Sequence, residues 1–187
     1  MMTRRPVLIG AAIVVLGVAV WYLFVRQGEP PVFADLVQQF PQAVKKSTLP
    51  LDRAFEVADV TINGETKRSI VARSSSRLYF SIRPPEDAWL TVSLALDPKV
   101  WTLDGDGVQF RVGVSDGRSY DELLKQHVDP RHVEGDRRWI PVTIDLSPYA
   151  DRQVDLIFNT DASAQGARGT PDHDESLWGA PRITIGR

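Results

Sequence analysis

The chain of 187 residues is long enough for one domain of ordinary size, or for one domain with a short appendage. Hydrophobic residues make up 43% and charged residues 25%, values near the globular average that exclude a wholly disordered chain. The formal net charge of −2 shows no basic excess, so no nucleic-acid partner is expected. Cysteine is absent, which excludes disulfides, thiol catalysis, zinc–thiolate sites and iron–sulfur clusters.

An apolar run occupies residues 7–25, where 19 consecutive residues carry no charge. An α-helix of this length spans roughly 28 Å, enough to cross the hydrocarbon core of a bilayer. The sequence therefore predicts a cytoplasmic tail at residues 1–6 and one transmembrane α-helix at residues 7–26. The alternative is a cleaved signal peptide, but such peptides have apolar regions of about 7–15 residues followed by a small-residue cleavage site. This run is longer and ends in Trp-Tyr-Leu-Phe-Val-Arg.

Positive charge flanks the apolar run unevenly, with Arg4 and Arg5 before it and Arg26 after it. The positive-inside rule then predicts a single-pass inner-membrane protein with a cytoplasmic N-terminus and a periplasmic, or otherwise extracytoplasmic, C-terminal domain. The part after residue 26 holds 19 basic and 24 acidic residues. That balance disfavours docking of the exported domain on an anionic membrane surface.

Two glycines in the apolar run, Gly10 and Gly17, are candidate helix-packing residues. They lie seven residues apart, about two helical turns, so both face nearly the same way and leave a shallow groove. Such grooves allow close contact between helices in lipid, which predicts other integral membrane subunits as partners. The alternative is that glycine simply occurs often in membrane helices and the anchor is only a tether.

Residues 27–51 read as a connector, because Pro30, Pro31, Pro41 and Pro50 prevent one long helix there. Between these prolines, apolar residues at 33, 36, 37 and 40 have helical spacing. The pattern predicts one short amphipathic helix. It could lie on the membrane surface, on its own domain or on a partner.

Short strand patterns separated by turn residues fill residues 52–187 and contain almost no helical spacing. They occupy residues 55–62, 65–72, 78–82, 89–96, 108–114, 139–146, 154–160 and 182–185. Asn63-Gly64 predicts a two-residue hairpin turn, and Pro141 indicates an edge strand or a bulge. Residues 119–128 are interpreted as a short helix or an irregular crossover. The sequence predicts an all-β protein, an antiparallel two-sheet sandwich.

Several motifs follow one another in an order that is informative about the fold. They are residues 106–112 (DGVQFRV), 138–142 (RWIPV), 145–150 (DLSPYA), 154–160 (VDLIFNT) and 178–183 (WGAPRI). This order resembles the galactose-binding-like jelly roll of carbohydrate-binding modules and of their relatives in bacterial envelope proteins. The resemblance covers residues 52–187 and implies a domain that binds sugar or protein, or that supports other parts. In a fold of that kind, residues 178–181 would form a turn that leads into the last strand, and Trp178 would seal one end of the sandwich.

Two acidic segments are candidate cation sites. Residues 104–107 (DGDG) have the carboxylate spacing of a calcium loop but lack the later EF-hand ligands, which favours a hairpin turn. Residues 172–175 (DHDE) suit calcium better than a transition metal. Since the resemblance implies that an acidic residue before the final strand can hold a structural cation, Asp174 and Glu175 are the candidate ligands. The alternative is a solvated acidic loop, with no cofactor at all.

No catalytic pattern stands out in the sequence. His127, His132 and His173 do not have metal-binding spacing, and there is no GxSxG elbow for a nucleophilic serine. We therefore expect a protein that is not an enzyme. Trp101, in a loop, and Tyr120 are the aromatic residues expected to meet a sugar or a protein partner.

Two functions follow. The first is a non-catalytic accessory subunit of a larger integral membrane complex, such as a photosynthetic, respiratory or secretion assembly, with the sandwich bracing its periplasmic face. The alternative is a membrane-tethered carbohydrate-binding module that recognises envelope glycans. An open groove with an exposed aromatic ring and converging polar groups would favour sugar, whereas a flat apolar patch would favour protein.

Overall fold

The computed structural model describes residues 30–73, 75–161 and 175–186. A compact unit begins at Pro31. The predicted tail, the transmembrane helix with Gly10 and Gly17, and Asp174 lie outside the described residues. Among the residues that are described, no helix is long and apolar enough to cross a membrane.

Eleven strands and two four-residue α-helices form most of the regular structure of the described residues. The strands are β1 (Val32–Asp35), β2 (Val44–Ser47), β3 (Phe55–Ile62), β4 (Glu65–Arg73), β5 (Ser76–Ile82), β6 (Ala88–Leu96), β7 (Val108–Ser115), β8 (Tyr120–Val128), β9 (Ile140–Asp145), β10 (Val154–Asp161) and β11 (Glu175–Ile185). The helices are α1 (Leu36–Gln39) and α2 (Leu51–Ala54). Short 3-10 turns occupy Phe40–Gln42, Pro98–Val100, Glu134–Asp136 and Ser147–Tyr149.

The strands form two antiparallel sheets. Sheet A has the order β3-β4-β11-β6-β9, with β1 also paired to β11, and sheet B has the order β2-β5-β10-β7-β8. The predicted all-β, two-sheet antiparallel sandwich is confirmed. Its hairpin between β3 and β4 turns at Asn63 (φ +52°) and Gly64 (φ +83°), as the sequence predicts. Pro141 lies in β9, at the edge of sheet A, where a missing N–H is tolerated.

Trp178 lies in the centre of the core between the sheets and does not seal one end. Its ring stacks on Phe158 with centroids 4.5 Å apart and meets the ring of Phe110 edge-on at 5.0 Å. The predicted turn at residues 178–181 is wrong, because β11 is continuous and only changes register between Gly179 and Arg182. Ala180 adopts φ +44° at this irregularity. A β-bulge therefore produces the glycine- and proline-containing pattern that resembles a turn.

Residues 119–128 do not form a helix or an irregular crossover. They contain strand β8, which pairs with β7 along its length. Val112 lies opposite Leu124 and Gly113 lies opposite Glu122, so Leu123 is an extra residue in β8. This bulge places two apolar residues side by side and breaks the two-residue alternation of a strand. The resulting spacing imitates a helix.

The predicted connector at residues 27–51 also differs from the structure. Its residues contribute β1 to sheet A and β2 to sheet B, so part of this segment belongs to the sandwich. The amphipathic helix is reduced to α1, in which Leu36 is fully buried against the domain. Asp35 caps α1 by accepting a hydrogen bond from the Val37 amide at 2.9 Å. The helix is short because strand pairing takes the residues before it and a 3-10 turn containing Pro41 follows.

A second, smaller hydrophobic cluster covers the outer face of sheet A. Its buried members are Ile62, Val71, Ala95, Trp139 and Leu177. The Trp139 indole N–H donates to the Glu65 carbonyl at 3.1 Å, and its ring lies over Gly179.

Candidate functional site

The outer face of sheet B presents its side chains in rows that follow the strand register. Leu78, Phe80, Val112, Leu156 and Phe158 point into the core, so the residues that alternate with them point outward. The central row is Val44, Tyr79, Ile157, Gly113 and Glu122. The next row, which we call the cationic row, is Lys46, Arg77, Asn159, Arg111 and Lys125.

Tyr120 projects from β8 over Gly113 of β7. A Cβ atom at position 113 would fall 2.4 Å from ring atoms of Tyr120, so only glycine fits beneath the ring. The side chain is nevertheless 49% exposed. Partial burial, followed by the charge of Glu122, raises the pKa of the Tyr120 phenol. At neutral pH the site therefore holds an exposed aromatic ring with a neutral hydroxyl group.

A cavity of about 250 Å³ lies beside this ring. It is lined by Arg77, Arg111, Tyr120, Ile157 and Asn159. Ile157 and Asn159 are only 8% and 5% exposed, so they form its floor. The cavity combines an apolar floor, an aromatic wall and converging polar groups, the composition typical of sites for small ligands.

A hydrogen-bonded network orders the polar groups of the cavity. Asn159 accepts from Arg77 Nε at 3.3 Å through Oδ1, and its amide nitrogen donates to Asp161 Oδ2 at 3.2 Å. Asp161 is also 3.5 Å from Arg111 Nη2. Within the described residues, Arg111 Nε is buried and has no hydrogen-bond partner. The acid nearest to this nitrogen is Glu122, whose Oε2 lies 3.9 Å from it.

Two further cavities continue from this one across the edge of sheet B, and we call the three together the groove. The nearer one, about 250 Å³, is lined by Gln42, Val44, Lys46, Tyr79, Ser81 and Asp155. It shares Gln42 and Ser81 with a larger cavity of about 580 Å³ beside α1, which also contains Phe33, Gln38 and Gln39. Since Tyr79 and Ile157 are paired neighbours, the three cavities follow one another from β8 towards α1. An extended ligand of several units could follow this path.

Of the two predicted aromatic contacts, only Tyr120 lies on this face. Trp101 is partly buried and packs against both hydrophobic clusters, with its indole N–H donating to the Leu96 carbonyl at 2.9 Å. Its role in binding a ligand remains a prediction.

The candidate cation ligands are only partly described. The carboxylate of Glu175 lies 3.3 Å from Arg73, which also binds Glu56 at 2.8 Å. Within residues 30–73, 75–161 and 175–186, no cluster of three or more histidine or acidic side chains could hold a metal ion. Calcium binding at Asp174 and Glu175 remains a prediction.

Residues 104–107 are not a hairpin between neighbouring strands, because they precede β7 of sheet B and follow β6 of sheet A. Gly107 has φ +77°, and a Cβ there would lie 2.5 Å from the Val128 carbonyl. Asp104 pairs with Arg131 at 2.5 Å. Gly107 therefore allows the chain to pass close to the Val128 carbonyl, and Asp104 forms an ion pair with the loop that contains Arg131.

Sequence reasoning missed Arg77, Tyr79, Arg111, Ile157 and Asn159. Their alternation along β5, β7 and β10 is visible in the sequence and places them on one face of each strand. However, these strands become neighbours only in the folded sheet, where β10 lies between β5 and β7. The grouping depends on long-range pairing.

Comparisons of the sequence with known proteins give a relative but no family. No protein-family model matches the chain. An uncharacterized protein of Archaeoglobus fulgidus is 38% identical over 133 residues, which cover 71% of this chain and 31% of that protein. The chain thus spans about a third of the length of this relative.

Two solved structures have the same fold. One is the module TmCBM61 in complex with β-1,4-galactotriose, with a TM-score of 0.51 and 11% identity, covering 84% of this chain and 99% of that one. The other comprises the CBM51-2 and INT domains of Clostridium perfringens ZmpB, with a TM-score of 0.51 and 11% identity, covering 84% of this chain and 29% of that one. The described domain therefore has the β-sandwich fold of carbohydrate-binding modules, as the resemblance in sequence implies.

Proposed function

We propose that the domain is a non-catalytic carbohydrate-binding module that holds glycans on the outer face of sheet B. The observation that carries the proposal is the Tyr120 ring, half exposed over Gly113 beside a polar cavity. One face of a pyranose ring is rich in C–H groups and can stack on an aromatic ring. The hydroxyl groups at its edge can then bond to planar side chains such as Asn159 and Arg77, which the network already orders.

The dimensions of the groove are compatible with an oligosaccharide. The cavity of about 250 Å³ beside Tyr120 suits one sugar unit, and the adjoining cavities provide space for further units. Tyr79 of the central row supplies a second aromatic ring along the same path. The galactotriose bound by a module of the same fold supports sugar as the ligand class, although a shared fold does not transfer the ligand.

The N-terminal sequence supports a membrane tether for this module. The charge asymmetry across residues 7–25 favours an extracytoplasmic domain, which is where envelope glycans are found. The accessory-subunit interpretation depends on the same segment, in particular on Gly10 and Gly17. The cavities on sheet B and the carbohydrate-binding modules of the same fold support the tethered module over the accessory subunit.

The test is binding of the full chain, solubilised in mild detergent, to an array of neutral and acidic glycans. We expect selective binding, and a loss of about tenfold or more in affinity for Tyr120→Ala, because the stacking surface is removed. Val133→Ala, which truncates another residue that is about half exposed, is the matched control and should bind like the wild type. Absence of glycan binding by the wild type, or equal binding by Tyr120→Ala, would overturn the proposal.

A further inference from the structure

The cationic row concentrates positive charge on a domain that is not basic overall. Lys46 lies directly opposite Arg77, and Arg111 lies directly opposite Lys125. Like charges in directly opposed positions destabilise a sheet. Yet the chain carries a net charge of −2, so general basicity does not account for four cations in one row.

The acids on the same face compensate this charge only in part. Glu122 and Asp161 both approach Arg111, at 3.9 Å and 3.5 Å. Asp155 lies on the opposite side of the central row and lines the cavity next to Tyr79. In the described ranges the Arg77 side chain makes no ion pair, and its only hydrogen bond is to the neutral Asn159 side chain. Lys46 lies 5.0 Å from the centroid of the Tyr79 ring, a contact that leaves its charge unneutralised.

The cavity beside Tyr120 faces two guanidinium groups and no carboxylate among its lining residues. Arg77 and Arg111 flank Asn159 from the strands on either side of β10. The strands are about 5 Å apart, so the two Cα atoms are separated by about 10 Å and long side chains can converge on one group between them.

A guanidinium group presents a planar fork of donors that matches the two oxygens of a carboxylate or a sulfate group. We infer that the glycan taken by this face is anionic, with a carboxylate or sulfate group of the sugar seated between Arg77 and Arg111 while the ring stacks on Tyr120. This inference rests on the proposed function and specifies its ligand class. The positive ends of the row, Lys46 and Lys125, provide longer-range attraction for the neighbouring charged units.

The experiment measures affinity of the full chain in detergent for four polymers. Polygalacturonate supplies carboxylates, its fully methyl-esterified form is the matched neutral polymer, dextran sulfate supplies sulfate groups, and β-1,4-galactan is a neutral glycan. We expect the chain to bind at least one of the two acidic polymers at least tenfold more tightly than it binds either neutral polymer. Arg77→Gln should lose about tenfold or more of that affinity, whereas Lys99→Gln, at an 80% exposed lysine in the 3-10 turn that follows β6, should lose none.

The outcomes separate the two proposals. Preference for dextran sulfate or for polygalacturonate identifies the anionic group, and either preference supports the inference. Equal binding of neutral and acidic polymers, with loss in Tyr120→Ala but not in Arg77→Gln, overturns the anionic ligand and leaves the proposed function intact. Acidic binding that is unchanged in Tyr120→Ala indicates bare charge attraction and overturns both, as does failure of all four polymers and of the glycan array.

Discussion

The hydroxyl group of Tyr149 donates a hydrogen bond to Asp121 Oδ2 at 3.0 Å. Tyr149 is buried in the 3-10 turn between β9 and β10, whereas Asp121 follows Tyr120 directly on the edge strand β8. The bond therefore connects the core to the strand that carries the aromatic ring of the candidate site. Since β8 has a partner strand on only one side, this side-chain contact helps to hold its position.

Tyr149→Phe should lower the free energy of unfolding by about 1–2 kcal/mol at pH 7, because a hydrogen bond to a carboxylate is lost. Burial and the bond to Asp121 raise the pKa of Tyr149 in the folded protein. A raised pKa gives a stability contribution that is complete below the pKa of the unfolded chain, near 10, and declines as pH rises through the folded pKa. Urea unfolding should thus show a difference between wild type and variant that shrinks above about pH 10.

Tyr79→Phe is the control for this series, because the Tyr79 hydroxyl makes no hydrogen bond among the residues described. Its unfolding free energy should remain within about 0.5 kcal/mol of the wild type. A deficit in Tyr149→Phe that stays constant from pH 7 to pH 11 would contradict the role assigned to the Tyr149 hydroxyl.

Asp116 orders the turn that leads into Tyr120, and protonation of its carboxylate at low pH should weaken that turn. Its Oδ1 accepts from the Ser119 amide at 2.8 Å and from the Arg118 amide at 2.9 Å. These bonds, first that from Ser119, lower the pKa of Asp116 to about 2. A lowered pKa gives stability that is present above the unfolded value, near 4, and is lost as pH falls through the folded value.

The measurement is an NMR titration of the Asp116 carboxyl together with unfolding of Asp116→Asn. The titration midpoint should lie clearly below that of an unstructured aspartate. The variant should be less stable than the wild type at pH 6, and this difference should shrink as pH falls from about 4 towards 2. A normal midpoint, or a deficit that persists in acid, would contradict this account of the turn.

The hairpin turn between β3 and β4 allows a test of backbone strain without steric conflict. A Cβ at either Gly64 or Gly135 would meet no atom within 4 Å, but only Gly64 has a positive φ, +83°. Gly64→Ala should therefore cost about 1 kcal/mol in unfolding free energy, and Gly135→Ala should cost little. Equal losses of unfolding free energy in the two variants, measured by urea unfolding, would show that the positive φ at position 64 does not require glycine.

Local signals predicted the parts of the fold that depend on few residues. Asn63-Gly64 predicted its hairpin because both backbone angles belong to one turn. The prediction of a helix or crossover at residues 119–128 was wrong because the bulge at Leu123 depends on the pairing with β7 and not on the sequence of β8 alone. The cationic row was unpredictable for the same reason, since Lys46 and Lys125 lie at opposite edges of a five-stranded sheet. Only the strand order brings such residues into one row.

Gly113→Ala tests whether the position of the Tyr120 ring, rather than its mere presence, determines binding. The new Cβ would fall 2.4 Å from the ring and displace it. Because the Tyr120 side chain is half exposed and can rotate away, the loss of unfolding free energy should be only about 1 kcal/mol or less. Glycan affinity should nevertheless fall about as far as in Tyr120→Ala.

Gly179→Ala is the matched control for this substitution. Its Cβ would fall 2.7 Å from the ring of Trp139, which is buried and cannot rotate freely, so this variant should lose about 1–3 kcal/mol of stability. Glycan affinity should be retained at temperatures where the variant is folded, since Gly179 belongs to sheet A. Combining Gly113→Ala with Tyr120→Ala should add no further loss of affinity, because both changes remove the same contact. Unaltered affinity in Gly113→Ala would mean that the ring over Gly113 is not the surface on which the glycan stacks.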